Sequence, residues 1–236
     1  MIFYHFHYAS DYAKFNFINY VPNAKWLVTV RDPVTSCESW ILDDFEENNY
    51  SLLGAKLCSM LLDISDPLFS NKDAVALRLE DLKEKPRKAI PALCKWLGVK
   101  EEESLYNMTA QGKKWWGDKS SAQQPAFGKI NKNKLGKVFS ERDKLVLNTL
   151  FYPFRLKFNY VNEDKNKLKK DLKLIKPLID NMLDFEKKIV HETQVEKSKF
   201  LQSGTYLFLR SIMTRRWEEL NKHGTYPVTL EHLKID

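Results

Sequence analysis

Arg31 closes the apolar run WLVTV (residues 26–30) and stands directly before Asp32 and Pro33. A guanidinium at the end of a strand can fork onto a phosphate through two parallel N–H donors. Asp32 is placed to cap the helix that Pro33 opens. The start of that helix adds unsatisfied N–H groups and the positive end of a dipole to the same spot. Ser39 lies eight residues after Arg31, about two turns into the helix, where its hydroxyl can reach the same anion. An arbitrary strand–Arg–helix junction more often holds an Arg paired with a nearby carboxylate and a plain surface serine. A second group adds weight to the anion reading. Residues 111–140 carry seven lysines (Lys113, Lys114, Lys119, Lys129, Lys132, Lys134, Lys137) against one acid, Asp118, in a chain of net charge +7. They also hold Gly112, Gly117, Gly128 and Gly136, four of its eight glycines. A Gly- and Lys-rich loop lets amides and ammonium groups approach a phosphate closely. The plain alternative is a solvated loop. Trp115 and Trp116 within it would stack on a sugar or adenine ring, or anchor the loop on the core.

These residues need elements to hold them. Residues 2–8 alternate as a short strand, with Ile2, Tyr4, Phe6 and Tyr8 on one face and Phe3, His5 and His7 on the other. WLVTV reads as a strand buried on both faces, as in a parallel sheet. VALRL (residues 75–79) is a second such strand. Helices are predicted from Pro33, over residues 53–62 and from Pro86, where Ile90, Leu93, Cys94 and Leu97 form one face and Gly98 ends it. Ser140 caps a further helix, ERDKLVLNTLF. Strands alternating with helices imply an α/β fold, a mainly parallel sheet flanked by helices. The last third differs. Leu168, Leu172, Ile175, Ile179 and Met182 form a helical seam that Pro177 should kink, and residues 201–217 read as one apolar-faced helix interrupted by Gly204. Residues 1–160 are thus expected to form the α/β unit and 161–236 an α-helical C-terminal extension, whose lysines form a solvated face.

Composition sets the limits. The 236 residues are 43% hydrophobic, enough for a core and too many for a disordered chain. A pI near 9.1 favours an anionic partner. No run of 18 apolar residues would span a membrane, and MIFYHFHYAS lacks the basic start and long apolar stretch of a secretory signal. Cys37, Cys58 and Cys94 are too few and too scattered for a disulfide framework or a zinc site, and read as core filler in a reducing compartment.

Taken together, PNAKWLVTVRDP (residues 22–33) with Ser39 resembles the 3′-phosphate-binding segment of the sulfotransferase family. RLEDL (residues 78–82), with Pro86 and Trp96-Leu97-Gly98 downstream, is similar to that family's "YEDL…P…FLG" stretch. LGKVFS (residues 135–140) is similar to the loop that closes over the nucleotide. The resemblance covers about residues 1–160. It implies a P-loop-like fold and transfer of a sulfuryl group from 3′-phosphoadenosine 5′-phosphosulfate (PAPS) to a hydroxyl or amine of a carbohydrate or small molecule, without a metal. Arg31, Ser39, Lys134, Gly136 and Lys137 would bind the nucleotide. His5 or His7 would act as the base, a task suited to imidazole near neutral pH. Glu80 and Asp81 would orient the binding helix or a nearby basic group. The family's P-K-S-G-T-T-like loop should precede His5 and is not found there, so the implied fold is N-terminally truncated. Gln202-Ser203-Gly204-Thr205 echoes that loop, yet no apolar strand leads into it, and a helix with one glycine is the ordinary reading. The expected partners are the nucleotide donor and the hydroxylated acceptor, with a homodimer through the C-terminal helices, no nucleic acid and no membrane span. The expected location is the cytoplasm, or the Golgi lumen where an N-terminal anchor precedes the chain. The alternatives are a catalytically inactive sulfotransferase-like scaffold and, less favoured, a basic nucleic-acid-binding module, for which no recognition signature is present.

Overall fold

A computed structural model describes residues 19–21, 23–65, 73–107, 109–110, 113–114, 127–130 and 135–235. They are mostly helical around a small parallel sheet. β1 (Trp26–Val30) runs parallel to β2 (Ala74–Arg78), in register from Trp26↔Ala74 to Val30↔Arg78. β3 (Thr109–Ala110) and β4 (Lys113–Lys114) form a separate antiparallel pair. β5 (Glu231–His232) adds two residues, parallel, to the far side of β2. The general α/β character is therefore present, with fewer strands than helices.

Local chemistry explains where the helices start and stop. Asp32 caps α1 (Pro33–Glu46) by accepting the Thr35 N–H at 3.1 Å, with Pro33 as its first residue. Asn49 caps α2 (Tyr50–Asp63). Leu79 is not the end of β2 but the first residue of α3 (Leu79–Glu84), so the strand stops at Arg78. α4 (Pro86–Leu97) ends at Gly98, whose φ of +73° is the left-handed C-cap that glycine adopts without strain. Ser140 and Asp143 form a capping box on α5 (Glu141–Leu150). α6 (Tyr152–Lys157), α7 (Lys165–Ile179) and α8 (Asp184–Thr193) follow. Pro177 lies in the last turn of α7, and the whole seam from Leu168 to Met182 is buried. The single interrupted helix expected near residues 201–217 is two: α9 (Lys197–Leu201) and α10 (Gly204–His223). The reason is a cap, because the Ser203 hydroxyl accepts the Tyr206 N–H and makes Gly204 a beginning.

β1 departs from the expected two-sided burial. Trp26 and Val30 are buried, but Leu27 is 42% exposed. The register puts Leu27 and Thr29 on the face of Val75 and Leu77. That face of β2 packs on α4 through Ala89, with Leu93 and Trp96 at its edge, and Leu27 and Thr29 of β1 are not part of this apolar cluster. The opposite face, Val30 and Ala76, packs on Phe154 and Phe158 of the α6 region. The largest apolar cluster joins Ile41, Leu57 and Leu147 to Ile175, Phe185 and Leu209, so helices from both ends of the chain share one core. The three cysteines are buried and free.

α2 and α10 approach closely at Gly54, where an added Cβ would overlap the Thr205 Cγ2. Gly54→Ala gains about 1 kcal/mol of helix propensity and meets overpacking of about 1–3 kcal/mol. The expected net result is a destabilised protein that Thr205→Ser partly restores. Urea midpoints of the two variants check this, and a more stable Gly54→Ala would refute the close approach.

Candidate functional site

The carboxyl ends of β1 and β2 lie side by side, and each is followed at once by charged residues. In an open parallel sheet this edge is where ligands bind. Asp32 Oδ2 takes the Arg155 Nε at 2.9 Å while its Oδ1 caps α1. The Asp32 backbone N–H points to Glu80 Oε1 at 3.4 Å, and Glu80 Oε2 accepts the Tyr160 hydroxyl at 2.8 Å. Glu80 thus ties the turn after β1 to the turn after β2. Burial, and then the Glu80 carboxylate, push the Tyr160 hydroxyl well above its ordinary pKa, so it stays a donor. The Arg78 guanidinium lies over the Tyr160 ring, 4.8 Å from its centre, and donates to the Phe158 carbonyl at 3.2 Å. Arg78 Nε is 3.2 Å from Asp81 Oδ2. Asp81, 3% exposed, also faces Lys85 at 3.3 Å and the His232 Nε2 at 3.8 Å. Burial lowers the His232 pKa below the ordinary imidazole value, against the pull of Asp81.

Among the described residues, one cation at the strand ends is left without a partner. Arg155 pairs with Asp32 and Arg78 with Asp81. Arg31, half-buried at the end of β1, has no hydrogen-bond or ion-pair partner among the described residues. The ordinary outcome for an Arg at such a junction, pairing with a neighbouring carboxylate, is taken by Arg155 instead. Ser39 is exposed on α1, and Ser36, three residues earlier, shares its helical face. That spacing could have singled out Ser36 from the sequence.

The Gly136 loop reaches the same helix. Gly136 has a φ of +81° and donates its N–H to Glu38 Oε2 at 2.9 Å. Val138 and Phe139 donate to Glu38 Oε1 at 2.9 and 3.2 Å. The backbone on both sides of exposed Lys137 is therefore bonded to Glu38 in the second turn of α1, the residue before Ser39. Arg31 directly precedes the Asp32 cap of α1, Ser39 lies in the second turn of that helix, and Gly136 and Lys137 lie on the loop bonded to Glu38. His5, His7 and Lys134 lie outside the described residues, as do Trp115 and Trp116.

Among the described residues no group of His, Cys, Asp and Glu is arranged to hold a metal ion. No described helix is long and apolar enough to cross a membrane. An open cavity of about 460 Å³ between α2 and α10, lined by Cys58, Leu62, Thr205 and Phe208, shares no residue with the strand-end cluster. No family model, curated protein or solved structure matches the chain.

Proposed function

We propose that the chain belongs to a PAPS-dependent sulfotransferase, and that the segment from Arg31 to Ser39, with Lys137, binds the 3′-phosphate of the donor nucleotide. The supporting observation is Arg31. It stands at the carboxyl end of a parallel strand, directly before a helix, and the described carboxylates around it are engaged elsewhere. A guanidinium in that place is suited to a bidentate phosphate contact. The resemblance of residues 22–33 and 78–82 to the sulfotransferase pattern supports the same reading. In the reaction, the acceptor oxygen or nitrogen forms a bond to sulfur. The bond from sulfur to the bridging phosphate oxygen breaks, and adenosine 3′,5′-bisphosphate leaves. The acceptor proton passes to His5 or His7 as base. The acceptor class is a hydroxyl or amine of a carbohydrate or small molecule.

Nucleotide binding is the direct test. Adenosine 3′,5′-bisphosphate at a hundred times its dissociation constant should stabilise the chain by about 2.7 kcal/mol. For a chain of this size that raises the melting temperature by roughly 5–10 °C. Arg31→Ala should abolish the shift, and adenosine 5′-phosphate, which lacks the 3′-phosphate, should produce little of it. No shift with millimolar bisphosphate would exclude the reading. Binding without sulfuryl transfer to any acceptor would instead identify an inactive scaffold.

A further inference from the structure

A loop whose amides converge on an anion is usually assigned to a ligand, yet here the anion belongs to the protein. Glu38 is 2% exposed and accepts the N–H groups of Gly136, Val138 and Phe139, which lie 98 to 101 residues away in sequence. Among the described residues no Lys, Arg or His pairs with it, and these three amides are the groups that offset its charge. A buried carboxylate without them would be costly, and successive backbone N–H groups make an anion nest. The nest is already filled. Its donors are not open to a phosphate, so a ligand at this place must be held by side chains.

The two halves of the loop are fixed differently. Val138 and Phe139 are buried in the main core and would be held by packing alone. Gly136 and Lys137 are exposed, and a Cβ added at Gly136 would meet nothing within 4 Å. Among the described residues, the Gly136 N–H to Glu38 bond is the contact that ties the exposed half to α1. Glu38 immediately precedes Ser39, and Arg31 lies at the start of the same helix. We infer that Glu38 is a positioning residue that sets Lys137 against the Arg31–Ser39 segment, so that side chains from both grip a nucleotide 3′-phosphate. This rests on the function proposed above.

Glu38→Gln separates the two halves. Its amide oxygen can still accept from Val138 and Phe139, while its NH₂ group faces the Gly136 N–H donor to donor. Hydrogen exchange at Gly136 should rise about tenfold or more, with α1 amides unchanged, and affinity for adenosine 3′,5′-bisphosphate should fall about tenfold. Arg31→Ala should lose nucleotide binding yet keep Gly136 exchange at the wild-type rate, which a general loosening of the fold would not do. Gly136→Ala, strained at positive φ with Glu38 intact, should reproduce the affinity loss, and it decides the matter if Glu38→Gln does not fold. Unchanged exchange at Gly136 in Glu38→Gln overturns the latch. Nucleotide affinity equal to wild type in folded Glu38→Gln, or in Gly136→Ala, overturns the positioning role alone. A wild-type chain that binds no bisphosphate overturns both that role and the proposed function, while the exchange measurement still reports on the latch.

Discussion

Glu186→Leu is expected to cost about 3–5 kcal/mol of folding stability, the loss typical when one partner of a buried ion pair is removed. Glu186 has no exposed surface and accepts from three separate elements. The Tyr50 hydroxyl comes from α2 at 2.6 Å, the Leu183 N–H from the start of α8 at 2.7 Å, and the Arg210 Nη2 from α10 at 2.5 Å. All three are donors in the geometry observed. Without the carboxylate, Arg210, 11% exposed, keeps among the described residues the carbonyls of Ile179 and Asn181 and the face of the Tyr206 ring. Glu186→Gln is no mild variant, since its NH₂ group would face groups that donate. Glu186→Leu/Arg210→Met removes both charges, and an apolar pair of similar volume often costs little. The double variant should therefore recover more than about 1 kcal/mol relative to Glu186→Leu. Urea unfolding at pH 7 measures each. A Glu186→Leu loss below about 1 kcal/mol would show that this buried network contributes little to stability.

The same contrast between local and distant chemistry explains what the sequence reveals. The Asp32 cap, Pro33, the Gly98 stop and the Ser140 cap are local signals, because each depends on backbone groups within about one turn of the residue. Arg31 was legible for that reason: its position follows from where a strand ends and a helix begins. That no described residue pairs with it was not, since Arg155 takes Asp32 from a helix 123 residues away. Glu38 was hidden more completely. A glutamate in the second turn of a helix reads as a solvated side chain, and only the tertiary approach of the Gly136 loop makes it a buried acceptor. The lysine and glycine density around residue 136 pointed to a ligand phosphate, whereas the described amides there donate to the protein's own carboxylate. β1 shows the same limit. WLVTV has the apolar run of a strand covered on both faces, but Leu27 lies outside the cluster that covers this face of β2 and stays 42% exposed. Two-residue β5 has no periodicity to read, yet it sets His232 beside Ala76 and Asp81.

Asp81 shows how the sheet and the candidate site depend on each other. Asp81→Ala is expected to lower stability by about 3 kcal/mol, at the lower end for a broken buried pair because part of its environment reaches water. Arg78 and His232 have about a fifth of their side-chain surface exposed and would lose the carboxylate they share. Lys85, 56% exposed, can turn into solvent, so Lys85→Ala should change stability by less than about 1 kcal/mol. The loss in Asp81→Ala should also reach the nucleotide. Arg78 stacks on Tyr160, Tyr160 donates to Glu80, and Glu80 accepts the Asp32 N–H beside Arg31. Bisphosphate affinity should therefore fall in Asp81→Ala and remain near wild type in Lys85→Ala, although each variant removes a contact to the same hub. Asp81→Asn, which keeps an oxygen beside Arg78 but removes the charge, should lie between them in both measurements. Chemical unfolding and calorimetric titration of the three variants separate the outcomes. Equal stability of Asp81→Ala and Lys85→Ala would mean that the strand ends are held by packing alone. A destabilised Asp81→Ala with wild-type affinity would break the link from Asp81 to Arg31.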